Sequence, residues 1–101
     1  MENNNFDIGY QGELNGKKLI LREPILDDLP AIEVQMRLLG LSLERMDEVP
    51  RMELMMLLLS RLCIGYGDNA GITREELGKL PLKSVSELTE AMSFFRDVFP
   101  V

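Results

Sequence analysis

The chain has no histidine, no tryptophan and a single cysteine, Cys63, in 101 residues. Each absence removes a class of chemistry. Without histidine, the commonest general base and the commonest transition-metal ligand are both missing. One thiol rules out an internal disulfide and a multi-cysteine zinc site. No neighbouring imidazole can activate Cys63 or Ser60, so Cys63 reads as a buried structural thiol on an apolar helix. Six aromatic side chains, two Tyr and four Phe, leave the core to Leu, Ile, Val and Met. Positive charge is scarce as well: eleven Lys and Arg stand against seventeen Asp and Glu, a net charge of −6. The deficit lies in residues 1–50, which carry five basic and ten acidic side chains. Lys17-Lys18 is the only basic cluster, too little to neutralise a phosphate backbone, so no nucleic-acid partner is expected. The opening MENNNFDIGY lacks the basic and apolar regions of a signal peptide. No apolar run approaches the ~20 residues of a membrane span. These readings lead to the expectation of a soluble protein in a reducing cytoplasm, with no membrane partner.

What is present is aliphatic and patterned. Residues 1–5 read as a disordered polar leader, and 6–101 as one domain. Asn15-Gly16 between β-prone runs predicts a hairpin with strands at about 6–13 and 18–23, closed by Pro24. Asp27-Asp28 before LPAIEVQMRLLG predicts a capped helix ending at Gly40, with Glu33 and Arg37 as an i,i+4 pair. Ser42 to Met46 suggests a helical turn. Asp47-Glu48-Val49-Pro50 opens a long helix running to about Tyr66. Gly65–Gly71 reads as a loop, and Thr73-Arg-Glu-Glu76 and Ser84-Val-Ser-Glu87 as capping boxes of two further helices. The expected fold is α+β but mostly α, an N-terminal β-hairpin followed by a small bundle of four to five helices.

The candidates for chemistry dissolve under inspection. Gly65–Gly71 follows a predicted helix and is not followed by Lys-Ser/Thr, so it matches neither a dinucleotide fingerprint nor a P-loop. Asp68, Asn69, Glu75 and Glu76 do not have EF-hand spacing. Asp27 and Asp28 are explained by capping and the helix dipole. No catalytic, cofactor or metal residue is assigned, and the chain is not expected to be an enzyme.

The unusual feature is MELMMLLLSRL at 52–62, where eight of eleven residues are Leu or Met. On a helical wheel, Met52, Met55, Met56, Leu59, Leu62 and Cys63 form one apolar face. Leu54, Leu57 and Leu58 form a second row on the side that carries Glu53, Ser60 and Arg61. One stripe suffices for a surface helix. Two stripes mean either a central helix enclosed all round or a contact surface for another chain. On the second alternative the contact residues are Leu54, Leu57 and Leu58, with an edge at Phe94 and Val98 next in line.

The order of elements carries a resemblance. Leu21-Arg22-Glu23-Pro24 followed by Asp28-Leu29, then Ile72-Thr-Arg-Glu-Glu-Leu77 and Leu80, is similar to the small tail assembly chaperones of tailed bacteriophages of the Mu-like and P2-like types. The likeness spans residues 12 to 99. It departs from the family's pattern at Pro30 and at Leu82-Lys83-Ser84, where an acidic residue often opens the last helix. The resemblance implies a non-enzymatic protein of the bacterial host cytoplasm. Its partner would be the long, helix-rich tape measure protein, kept soluble and extended while the tail tube assembles, with a homo-oligomer possible. The alternative is a small regulatory or ligand-binding helical domain unrelated to phage, which requires an enclosed pocket.

Overall fold

Asn15 and Gly16 both take positive φ, 53° and 80°, as a type I′ turn requires. They join strands β1 (Ile8–Leu14) and β2 (Lys17–Arg22), paired antiparallel with Leu14 opposite Lys17 and Gly12 opposite Leu19. Alternation sends Leu14, Leu19 and Leu21 into the core, where all three are fully buried. The computed structural model describes residues 7–40 and 51–98, the side chains of 51 and 95–98 excepted. The leader at 1–5, the turn at Ser42 and the helix opening at Asp47–Pro50 lie outside the described residues.

Helix α1 spans Asp28–Leu38 and buries Asp28, Ile32 and Met36 on one side. Gly40 follows at φ 77°, its amide donating to the Arg37 carbonyl, so the chain leaves through a left-handed residue. Glu33 and Arg37 form the expected i,i+4 pair at 3.7 Å on the exposed side. The start of the helix differs from expectation. Asp27 occupies the N-cap without making a side-chain cap bond. Asp28 is fully enclosed instead and holds three elements together. Its carboxylate accepts from Arg22 Nη1 at 2.8 Å and Nη2 at 2.6 Å, from Arg61 Nε at 2.8 Å and from the Ile25 amide at 2.7 Å. Burial alone would push this carboxyl upward. The bonds from Arg22, Ile25 and Arg61 overcome it and bring the pKa down from 3.8 to about 2.

Helix α2 spans Arg51–Leu62 and ends four residues short of the expected boundary, because Cys63–Tyr66 is strand β3. It pairs antiparallel with β2, Leu19 opposite Tyr66 and Ile20 opposite Gly65, in a sheet ordered β1-β2-β3. This corrects the expected fold class. A hairpin alone is marginal, and β2 gains a second partner from the middle of the chain. Gly65 is a poor helix former, and it packs against Ile20 across the pair. The Tyr66 hydroxyl donates to the Leu14 carbonyl at 2.9 Å, tying β3 to the far end of β1. The expected loop at 65–71 is thus in part a strand, closed by a tight turn in which Tyr66 and Asn69 exchange backbone bonds and Gly67 sits at φ 60°.

Two further helices complete the described residues: α3 (Arg74–Gly78) and α4 (Val85–Val98), the latter preceded by a 3-10 turn at Leu82–Ser84. α2 and α4 lie against the three-stranded sheet, and α1 and α3 pack on α2. α2 runs through the middle. Met55, Leu59 and Leu62 are buried on its first face, and Leu57 and Leu58 on its second. The domain itself therefore covers most of both stripes of MELMMLLLSRL, the Met52 end excepted.

Candidate functional site

Since α2 is enclosed along most of its length, the place where it emerges matters. Met52, at its N-terminal end, is 40% exposed, and Met56, one turn on, is half-buried. These two methionines form one wall of a shallow, open groove of about 240 Å³. Leu77 of α3 and the Leu80-Pro81-Leu82 connection form the opposite wall; Val85 and Leu88 of α4 close the end, and Leu14 of β1 lies at the floor. Leu82 is 87% exposed and Val85 is also open to solvent.

Local sequence explains why this connection presents its apolar side chains outward. α3 is a single short helix fixed by a complete capping box. The Glu76 amide donates to Thr73 Oγ1 at 3.1 Å, and Glu76 Oε1 accepts from the Thr73 amide at 2.9 Å. Thr73→Ala should cost roughly 1 kcal/mol of stability, read as a small fall in the urea midpoint. After Gly78, Pro81 enters an extended conformation at φ −59°, ψ 146° and then a 3-10 turn.

The second expected capping box is not formed. Glu87 Oε1 instead accepts from the Asn15 amide of the hairpin turn at 2.8 Å, which ties α4 to the β1–β2 turn. Ser84 is buried, and its Oγ has no hydrogen-bond partner among the described residues. The carboxylate that would have completed the box serves a tertiary contact.

One charged side chain lines the groove, Arg74. Its Nε and Nη2 donate to the two carboxylate oxygens of Glu53 at 2.5 and 2.7 Å. Those bonds hold Glu53 below the usual carboxylate range against the opposing effect of its partial burial. The fork lies over Gly78, where a Cβ would come within 2.7 Å of Nη1.

The residues singled out from sequence are distributed differently. Leu57 and Leu58, at 5% and 6% exposure, belong to the core, and Leu54 packs half-buried against it. Of this row only Leu54 keeps part of its surface open, and Leu57 and Leu58 take the enclosed alternative. Phe94 is half-buried against the core, with its ring over Gly9. Val98 is the last residue of α4 and its side chain lies outside the described ones. Met52 and Met56, read from sequence as core, are the ones that reach the groove. A second apolar area is exposed on α1 at Val34 and Leu38 and, just before the helix, at Leu26.

Among the described residues there is no group of three His, Cys, Asp or Glu side chains placed to hold a metal ion, and no helix is long and apolar enough to cross a membrane. The Cys63 thiol is buried, its pKa pushed up by desolvation. No known protein family, curated protein or solved structure matches the chain.

Proposed function

We propose that the chain is a small protein-binding chaperone whose groove receives an amphipathic helix of another protein, in the role of a phage tail assembly chaperone acting on a tape measure protein. The observation that carries this is the groove's exposed apolar rim, Met52, Leu82 and Val85 around an apolar floor. An amphipathic helix laid in such a groove is a standard mode of recognition. Two methionines in the wall suit it to stripes that differ in detail, since a thioether side chain reshapes at little cost. Many copies along one extended client would add avidity to a weak single contact, and their net charge of −6 would keep coated filaments apart. A small-molecule site is favoured less: about 240 Å³ of open groove falls below the roughly 300–1,000 Å³ of enclosed ligand pockets.

The test is co-expression with any long helical protein found encoded beside this chain. Leu82→Glu places a charge at an exposed position and should leave thermal stability within about 0.5 kcal/mol of the parent. It should abolish co-purification. Retention of the client by a folded Leu82→Glu variant would remove the groove from the account, and absence of any tail gene next to this one would remove the phage role.

A further inference from the structure

The groove is apolar except for a guanidinium, and that guanidinium is only partly engaged. Arginine has five N–H donors in a planar fork. Glu53 takes the edge formed by Nε and Nη2. Nη1, with its two N–H groups, makes no hydrogen bond among the described residues, and Arg74 is among the side chains that line the groove. A third of the Arg74 side chain is exposed. The other carboxylates of this region are engaged or outside the lining. Glu76 belongs to the capping box and Glu87 to the Asn15 amide, while Glu75 is exposed on α3 and does not line the groove, its charge reaching Arg74 without a hydrogen bond. The exposed Lys79 and Lys83 sit on the connection that forms the rim, with Lys79 within range of the Glu76 charge. An apolar groove with one partly engaged cation fits an apolar stripe that carries one anion.

We infer, on the basis of the groove reading above, that Arg74 selects partner helices bearing a Glu or Asp beside their apolar stripe, with Glu53 holding the fork in place until the partner's carboxylate joins it. The chain's overall charge of −6 predicts the opposite preference, for basic helices, so the two effects can be told apart. The probes are three synthetic peptides of ~20 residues, long enough to hold helix in isolation. They share one Leu stripe and differ at a single flanking position, which is Glu, Gln or Lys.

At low salt the Glu peptide should bind the folded chain roughly tenfold tighter than the Gln peptide, as expected of a charge-assisted bond, and the Lys peptide should bind weakest. Arg74→Met, which keeps an apolar stem in the wall but leaves the Glu53 carboxylate without its cation, should abolish the preference and bring the Glu peptide to or below the level of the Gln peptide. Glu53→Gln releases the whole fork and should widen the Glu-to-Gln ratio, a second reading independent of any effect of Arg74→Met on folding. Equal binding of the Glu and Gln peptides, or preference for the Lys peptide, overturns the selection by Arg74 and leaves the groove reading standing. If no peptide binds, or if all bind Leu82→Glu as well as the parent, the groove reading falls and the selection falls with it.

Discussion

Asp28→Asn should remove roughly 3–5 kcal/mol of stability, the cost of breaking a buried ion pair by deleting one partner. The variant keeps the shape of the side chain but not its charge. Arg22, itself buried, is left with a neutral amide that matches its fork in only one of two places, and Arg61 loses its counter-ion. Against the roughly 5–15 kcal/mol that separates a typical domain from its unfolded chain, this is a large fraction. It should appear as a shift of the urea midpoint at constant slope. The pH dependence gives a second readout. The Asp28 pKa is lower folded than unfolded, about 2 against 3.8. Its charge therefore stabilises the fold fully above the unfolded value, and that contribution, on the order of 2 kcal/mol, is lost as pH falls from about 4 towards 2. The gap between parent and Asp28→Asn should narrow across that window. A gap that stays constant from pH 6 to pH 2 would mean that the carboxylate's charge is not what holds the three elements.

Leu58→Glu should unfold the domain at neutral pH. Leu58 is enclosed by its own chain, and an unpaired carboxylate in that position costs several kcal/mol beyond the lost apolar burial. Far-UV circular dichroism should lose most of its helical signal. Leu58→Met, which conserves volume and polarity, should cost less than about 1.5 kcal/mol. The contrast with Leu82→Glu is the informative comparison: the same substitution is destructive at one leucine and silent for folding at another. A folded Leu58→Glu variant would return the second stripe of α2 to the surface.

That contrast marks where sequence patterning stops being informative. Local chemistry was legible: both residues of the hairpin turn, the capping box at Thr73, the exit of α1 through Gly40 and the Glu33–Arg37 pair lie where propensity and spacing place them. Periodicity also split the Met/Leu run into two rows. It could not assign owners to them, because a helical wheel has no information about what surrounds the helix. The domain covers the Leu57–Leu58 row and leaves the Met52 end of the other face open, the reverse of the partition that looked natural. β3 was hidden for a related reason. Four residues following an apolar helix without a turn signal continue its pattern, and the reason they become a strand lies some forty residues upstream, in the unpaired side of β2. The roles of Asp28 and Glu87 were hidden similarly. Each carries a plausible local cap in the sequence, and in each case a distant partner, Arg61 or Asn15, takes the carboxylate. The groove itself was not read from the sequence, although Leu80-Pro81-Leu82 sets three apolar residues in a short connection.

The late arrival of β3 has a consequence for synthesis. The amino-terminal hairpin emerges first, but its central strand has only one neighbour until Cys63–Tyr66 follows. A nascent chain that has reached Leu62 holds two strands and two helices and cannot yet shelter Leu19 and Leu21, and two-stranded ribbons are marginal in water. Closing the sheet across this separation carries a loop-entropy cost that the local contacts do not offset. The sheet can therefore close only once Tyr66 is made, and the groove only once Leu88, its last lining residue, has followed.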